Sequence, residues 1–259
     1  MIKFFRSVLV LFCFGIFGAG ACIINFLLFP SAKIFIKKEI AILCKLKMAI
    51  YLQYGFYSET IHKVWKFFTN FLIFTGVIKL NIKDRKEIEQ IKNKIIVSTH
   101  PSFIDVVILI GLIPRTTCIA KEALARNPIM KNILNTIFIT NEANLEEFQK
   151  QTKELLDEGF NVIIFPSGIR HRRNEFPKIK KGAALIALNA KRNIVPLKLY
   201  TDFDFLFIHQ PVWQAGEKPV VFSLEKCPEI NVLTEIQKHD SEIIIKKNIT
   251  KLIENSLYN

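Results

Sequence analysis

The chain has 259 residues, half of them hydrophobic, with 23 phenylalanines and a formal net charge of +13. That length accommodates one large domain plus an appendage. A basic, apolar-rich chain points to an anionic membrane surface or to nucleic acid, and no zinc-ligand spacing, RNP-like or helix-turn-helix signature supports the second.

At the N-terminus, Ser7 to Phe29 runs without a charge and is long enough to cross a bilayer. Lys3 and Arg6 precede it, and Lys33, Lys37 and Lys38 follow it. The heavier positive flank lies downstream and favours a cytoplasmic catalytic domain. A re-entrant segment is the other option. Ala19-Gly-Ala-Cys22 faintly resembles a lipoprotein cleavage box, but it lacks the usual leucine and the apolar run continues past it. Five cysteines with no metal-ligand spacing read as reduced thiols. No GxGxxG, P-loop or HExxH pattern appears.

A second apolar region, Ile61 to Leu80, carries Trp65 and several phenylalanines punctuated by Lys63, Lys66 and Lys79. It reads either as a helix lying in the membrane interface or as a core helix. Asn81 to Lys94 is charged and reads as a connection. From Ile95 onward, short apolar runs alternate with helical patterns, which predicts an α/β domain. Strands are expected at Lys94–Ser98, Thr116–Ala120, Thr136–Thr140, Asn161–Phe165, Ile194–Leu199 and Pro219–Leu224. Helices are expected at Val106–Leu112, Leu145–Glu158, Lys181–Ala190 and Ser241–Leu257. The expected organisation is a membrane-associated helical region over 1–80 and a catalytic domain over 81–259.

Two strand ends carry chemistry. After Ile95-Ile96-Val97 comes His100-Pro-Ser-Phe-Ile-Asp105. A base at a strand end and a carboxylate one helical turn later can meet, so that the carboxylate orients the imidazole and the other ring nitrogen takes a proton from a hydroxyl. Taken alone, the pair also reads as a loop histidine and a helix N-terminal charge. The run Phe160 to Phe165 then ends in Pro166-Ser-Gly-Ile-Arg170, with a glycine for close backbone approach and an arginine suited to a phosphate.

These segments resemble glycerolipid acyltransferases of the PlsC, or lysophosphatidic acid acyltransferase (1-acylglycerol-3-phosphate O-acyltransferase), type. "THPSFID" matches their H-x4-D motif and "FPSGIR" resembles their F-P-E-G-T-R motif. "CIAKEALARNPIM", "KKGAALIAL" and "IVPLKL" resemble further segments, with Lys121, Pro128, Gly182 and Pro196 in matching places. The resemblance covers about Ile95 to Leu199. Departures are Ser167 for the family's glutamate, Ile169 for its threonine or serine, and Asn141 where many members carry an arginine that holds the acceptor's phosphate. They suggest a divergent branch and put lysophosphatidic acid as acceptor in doubt.

The resemblance implies a mixed sheet flanked by helices, the glycerolipid acyltransferase fold, with an N-terminal membrane-anchoring helical segment. It implies a membrane-bound enzyme of the bacterial inner membrane, facing the cytoplasm, with membrane lipids as partners. The reaction implied is acyl transfer from an acyl-ACP or acyl-CoA co-substrate to a lysophospholipid-like hydroxyl, with no cofactor and no metal. His100 and Asp105 are then catalytic, and Arg170, Gly168, Ser167 and Lys121 bind substrate; backbone amides near Gly168 are candidate oxyanion donors. Ser167 is not a hydrolase nucleophile, since "F-P-S-G" lacks the glycine two residues before the serine. The competing class is a non-catalytic lipid-binding protein that retains the fold.

Overall fold

A computed structural model describes residues 1–32, 46–120, 133, 138–140, 145–214 and 216–259. The helices are α1 (Ile2–Ile23, continued by a π-helical stretch, Ile24–Leu28), α2 (Leu46–Phe74), α3 (Arg85–Glu89), α4 (Asp105–Leu112), α5 (Leu145–Asp157), α6 (Gly182–Ala190), α7 (Val232–Lys238) and α8 (Glu242–Tyr258). The strands are β1 (Ile78–Ile82), β2 (Ile95–Ser98), β3 (Thr116–Ala120), β4 (Phe138–Thr140), β5 (Asn161–Ile164), β6 (Ile194–Thr201) and β7 (Val220–Lys226).

The strands form one sheet in the order β1-β7-β6-β2-β5-β3-β4, parallel throughout except for β6 against β7. Strands of a parallel sheet covered on both faces read as continuous apolar runs, and Ile95 to Ser98 and Asn161 to Ile164 are buried at every position. Alternate side chains serve two cores. Ile96, Ile163, Val195 and Leu197 face one layer with α1, α2 and α4. Ile95, Val97, Val162 and Ile194 face the other, with α5, α6 and α8. The period-2 alternation thus fills a core on each side.

Strand β2 sits between β6 and β5, so the chain leaves its C-terminal end where the strand order reverses. That is the crevice in which open α/β sheets place ligands. Because β2 and β5 are immediate neighbours in register, Ile95 beside Val162, the loops that follow them must abut.

Helix α2, which contains most of the second apolar region, has a core face and an exposed apolar face. Tyr57, Ile61, Trp65, Phe68 and Leu72 recur at helical spacing and are buried. Phe56, Phe67, Ile73 and Phe74 are exposed on the other side. It crosses α4 at backbone contact: a Cβ built on Gly111 would lie 2.8 Å from the Lys66 nitrogen and 2.9 Å from the Trp65 carbonyl carbon. Helix α1 is likewise two-faced. Val10, Cys13 and Ala21 are buried, whereas Phe4, Phe5, Val8, Leu11 and Phe12 are exposed. Its Arg6 donates to the carbonyls of Gly216 (2.9 Å) and Gly76 (3.2 Å), and the Phe14 ring lies 6.4 Å from Phe205.

Two expectations need adjustment. The boundary expected between Leu80 and Asn81 falls inside β1, and the charged connection contains α3. Strand β1 is an edge strand with exposed Lys79 and Asn81, so its polar positions read as a linker. Of the strand expected at Thr136–Thr140, the described part is Phe138–Thr140. Lys121, Pro128 and Asn141 lie outside the described residues.

Candidate active site

The first motif loop leaves β2 at Ser98 and enters α4 at Asp105. Asp105 occupies the first turn of that helix, where a carboxylate is favoured by the exposed N–H groups and the dipole. Its Oδ2 accepts from His100 Nδ1 at 2.9 Å and from the Ser102 amide at 2.8 Å. Donation to Asp105 places the proton on Nδ1 and leaves Nε2 unprotonated, the tautomer a general base requires. Asp105 is fully buried, and its Oδ1 has no hydrogen-bond partner among the described residues. Burial pushes its carboxyl above the ordinary carboxylate range; His100, the Ser102 amide and the Arg170 charge oppose that push.

The loop is braced from β6 and from the segment beyond it. Thr99 Oγ1 donates to the Leu199 carbonyl and accepts from the Leu199 amide at 2.8 Å. Ser102 Oγ donates to the Phe205 carbonyl at 2.7 Å. The Leu206 carbonyl accepts from the Phe103 amide (3.3 Å) and from Arg170 Nη1 (2.6 Å), joining the two motif loops at one oxygen. Leu206 holds a positive φ of 53°, uncommon for a branched residue.

The second motif loop follows β5. The ring of Phe165 stacks on His100, with centroids 4.1 Å apart. Gly168 takes a φ of +68°, and a Cβ there would meet Lys180 Nζ at 2.8 Å. The Gly168 amide donates to Phe165 O at 2.9 Å, and the buried Ser167 hydroxyl donates to Ile169 O at 2.8 Å. Both groups therefore shape the turn. The amides of Ile169 and Arg170, one and two residues on, have no acceptor among the described residues. Burial lowers the pKa of Arg170, and the Asp105 charge counters it.

Two residues of this region escaped the sequence reading. Lys180 lies over the Gly168 turn, although it stands in an unpatterned run of lysines. His171 is buried. Its amide donates to the His100 carbonyl (3.0 Å), and its Nε2 is 3.4 Å from the His100 amide and 3.2 Å from the Tyr258 hydroxyl. Only its position directly after the second motif could have pointed to it.

A buried carboxylate orienting a partly exposed imidazole, with an arginine and two amides unpaired among the described residues on the adjoining loop, can deprotonate a hydroxyl beside an anion-binding group. Residues 79–200 match the family model described as Acyltransferase, and this part of the chain is an acyltransferase domain. The match with the PlsC type is carried by named relatives. The chain is 27% identical over 183 residues to the 1-acyl-sn-glycerol-3-phosphate acyltransferase of Borreliella burgdorferi, covering 68% of this chain and 72% of that protein. It is 34% identical over 126 residues to the enzyme of the same name from Helicobacter pylori, covering 46% and 53%. The crystal structure of the 1-acyl-sn-glycerophosphate acyltransferase PlsC of Thermotoga maritima superimposes with a TM-score of 0.66 at 18% identity, covering 98% of this chain and 95% of that one, and shares its fold.

Proposed function

We propose that this chain is a membrane-attached O-acyltransferase that moves a fatty acyl group from an acyl-ACP or acyl-CoA thioester to the hydroxyl of a lysophospholipid-like acceptor. The observation that carries the reading is the 2.9 Å bond from His100 Nδ1 to buried Asp105 at the head of α4. His100 Nε2 takes the acceptor's hydroxyl proton, and the freed oxygen attacks the thioester carbonyl. Asp105 stabilises the imidazolium that forms. The amides of Ile169 and Arg170 are the candidate donors to the tetrahedral oxyanion. Collapse breaks the carbon–sulfur bond, and the imidazolium returns its proton to the departing thiolate. A thioester is already activated, so no acyl-enzyme intermediate is needed.

Arg170, with Lys180 nearby, is the cation we assign to the acceptor's phosphate. The exposed side chains of Phe103 and Ile169 border these groups and suit a lipid approaching from an apolar phase. Membrane attachment follows from the outward apolar faces of α1 and α2. Since the opposite face of α1 is packed on the domain, we infer that the helix lies in the interface plane rather than across the bilayer. We place the active site on the cytoplasmic side, where an anionic leaflet attracts a chain of net charge +13, with residues 1–80 as the membrane-facing part.

The test is acyl transfer by the full chain in mixed micelles, with acyl-ACP and acyl-CoA as donors and a panel of lysolipids as acceptors. Wild type should transfer, and His100→Ala should lose roughly 10²–10⁴-fold. A folded His100→Ala protein turning over near the wild-type rate would remove the assignment. Asn141→Arg addresses the acceptor. Improved use of lysophosphatidic acid supports Asn141 as the reason for a different preference, and efficient wild-type use unchanged by the arginine removes that role.

A further inference from the structure

A cleft of about 350 Å³ opens beside the catalytic loop, on the sheet face covered by α8 rather than by α1 and α4. Thr99 and Pro101, the two neighbours of His100, form part of its wall. Two cations line it, Arg173 and Lys198; neither makes an ion pair within 4 Å among the described residues, although Lys198 stands opposite Glu225 across β6 and β7 and its charge helps hold that carboxyl below its ordinary range. The carboxylate in its lining, Glu225, is bound by Lys83 at 2.7 Å, so the cleft keeps a net positive charge. The Arg173 guanidinium carbon lies 4.3 Å from the centroid of the Tyr200 ring, a cation–π contact that holds it at the cleft wall. Phe176, Tyr200 and Tyr258 add aromatic surface.

Two cations against one carboxylate that Lys83 already holds, set beside aromatic rings, suit an anion carried on an organic group, and the planar guanidinium fork suits a phosphate. The apolar faces of α1 and α2 that would meet a membrane belong to the other layer. A lipid headgroup is therefore poorly placed to enter, and a water-soluble molecule is well placed. We propose that this cleft binds the phosphate ester of the acyl donor's soluble head, on Arg173 and Lys198, separately from the acceptor's phosphate near Arg170. The proposal rests on the acyl-transfer reading for the identity of the donor. A phosphopantetheine diester on a carrier protein and the phosphates of coenzyme A share this chemistry. The cleft wall is also joined to the base: Tyr258 meets His171 Nε2, which faces the His100 amide. An occupant is therefore one residue from the reaction centre.

The experiment uses the full chain in micelles and titrates desulfo-CoA, inorganic phosphate and vesicles containing lysophosphatidic acid by calorimetry. The same titrations are run on Arg173→Gln and Lys198→Gln, with melting temperatures recorded to confirm folding. Desulfo-CoA should bind wild type and lose about tenfold or more in each variant, as expected for loss of a charge-assisted bond. In turnover, the donor KM should rise by a similar factor while the acceptor KM is unchanged. A rise with acyl-CoA alone assigns the cations to coenzyme A phosphates; a rise with acyl-ACP as well assigns them to the phosphopantetheine diester. Desulfo-CoA binding that is unaffected by both substitutions overturns the proposal. So does inorganic phosphate binding as tightly as desulfo-CoA, or a loss confined to the lysolipid vesicles. Absence of acyl transfer from either donor would instead count against the function proposed above, and the binding arm would still decide the cleft.

Discussion

The imidazole of His100 lies on the ring of Phe165, with centroids 4.1 Å apart and planes inclined by 21°. One residue follows β2 and the other follows β5, so the stack joins the two motif loops across adjacent strands. Together with the Asp105 bond it fixes the ring's plane and hence the direction of Nε2. An aromatic pair contributes about 0.5–1.5 kcal/mol beyond its buried area. Phe165→Leu should therefore lower kcat/KM by a few-fold to about tenfold, chiefly in kcat, because the base is misaimed while the substrate sites remain. Steady-state kinetics with acceptor varied would check this; an effect confined to KM would contradict the positioning role.

Asp105→Asn separates orientation from charge. Its amide oxygen can still accept from His100 and Ser102 through the place now held by Oδ2. The imidazolium loses its counter-charge, and the rate should fall by at least about 10²-fold. Stability should move the other way. A folded pKa above the ordinary 3.8 means that the folded chain binds more protons than the unfolded one in the window above 3.8, so ionised Asp105 costs stability as pH rises through the folded value. Melting temperatures should favour Asp105→Asn most at neutral pH and converge with wild type as pH falls towards 3.8. A variant less stable at neutral pH by the same margin as in acid would show that this burial cost is not expressed.

His171 predicts an acid limb of the stability curve. Burial lowers its pKa from 6.5; the charge of His100 acts in the same direction, while Glu175 and the Arg172 carbonyl act against it. The unfolded chain then binds more protons than the folded one between the lowered value and 6.5. Its contribution is complete above 6.5 and is lost as pH falls below it. His171→Gln should flatten that part of a melting-temperature profile. An unchanged slope would place the acid sensitivity elsewhere.

The crossing of α2 and α4 gives a packing prediction. A methyl on Gly111 would meet backbone atoms of Trp65 and Lys66, which cannot rotate away. Gly111→Ala should cost about 1–3 kcal/mol and lower the melting temperature. Gly18→Ala in α1, with nothing within 4 Å, should be neutral or stabilising by up to about 1 kcal/mol. Equal effects at the two sites would show that α2 shifts to accommodate the methyl.

Much of this molecule was legible in one dimension because its signals are local. Ile95 to Val97 and Val162 to Ile164 are buried on both faces, so each appears as an unbroken apolar run. His100 and Asp105 meet across one turn at a helix start, a contact that five residues of sequence specify. Strand β1 was not legible, because an edge strand with lysine and asparagine on its open positions looks like a linker. Nor was α7, Val232–Lys238, a short helix.

What the sequence by itself determined, then, is the strands other than β1, the acid–base pair and the apolar character of the two N-terminal segments. The tertiary structure decided what depends on strand order and on residues distant in the chain. Placing β5 beside β2 stacks Phe165 on His100, and the turn at Leu206 presents one carbonyl to both Phe103 and Arg170. It turned Gly168 and Ser167 inward to their own turn, and brought Lys180, His171 and the penultimate Tyr258 to the site. These contacts join segments separated by long stretches of chain, and no pattern of neighbouring residues encodes which strand lies next to which.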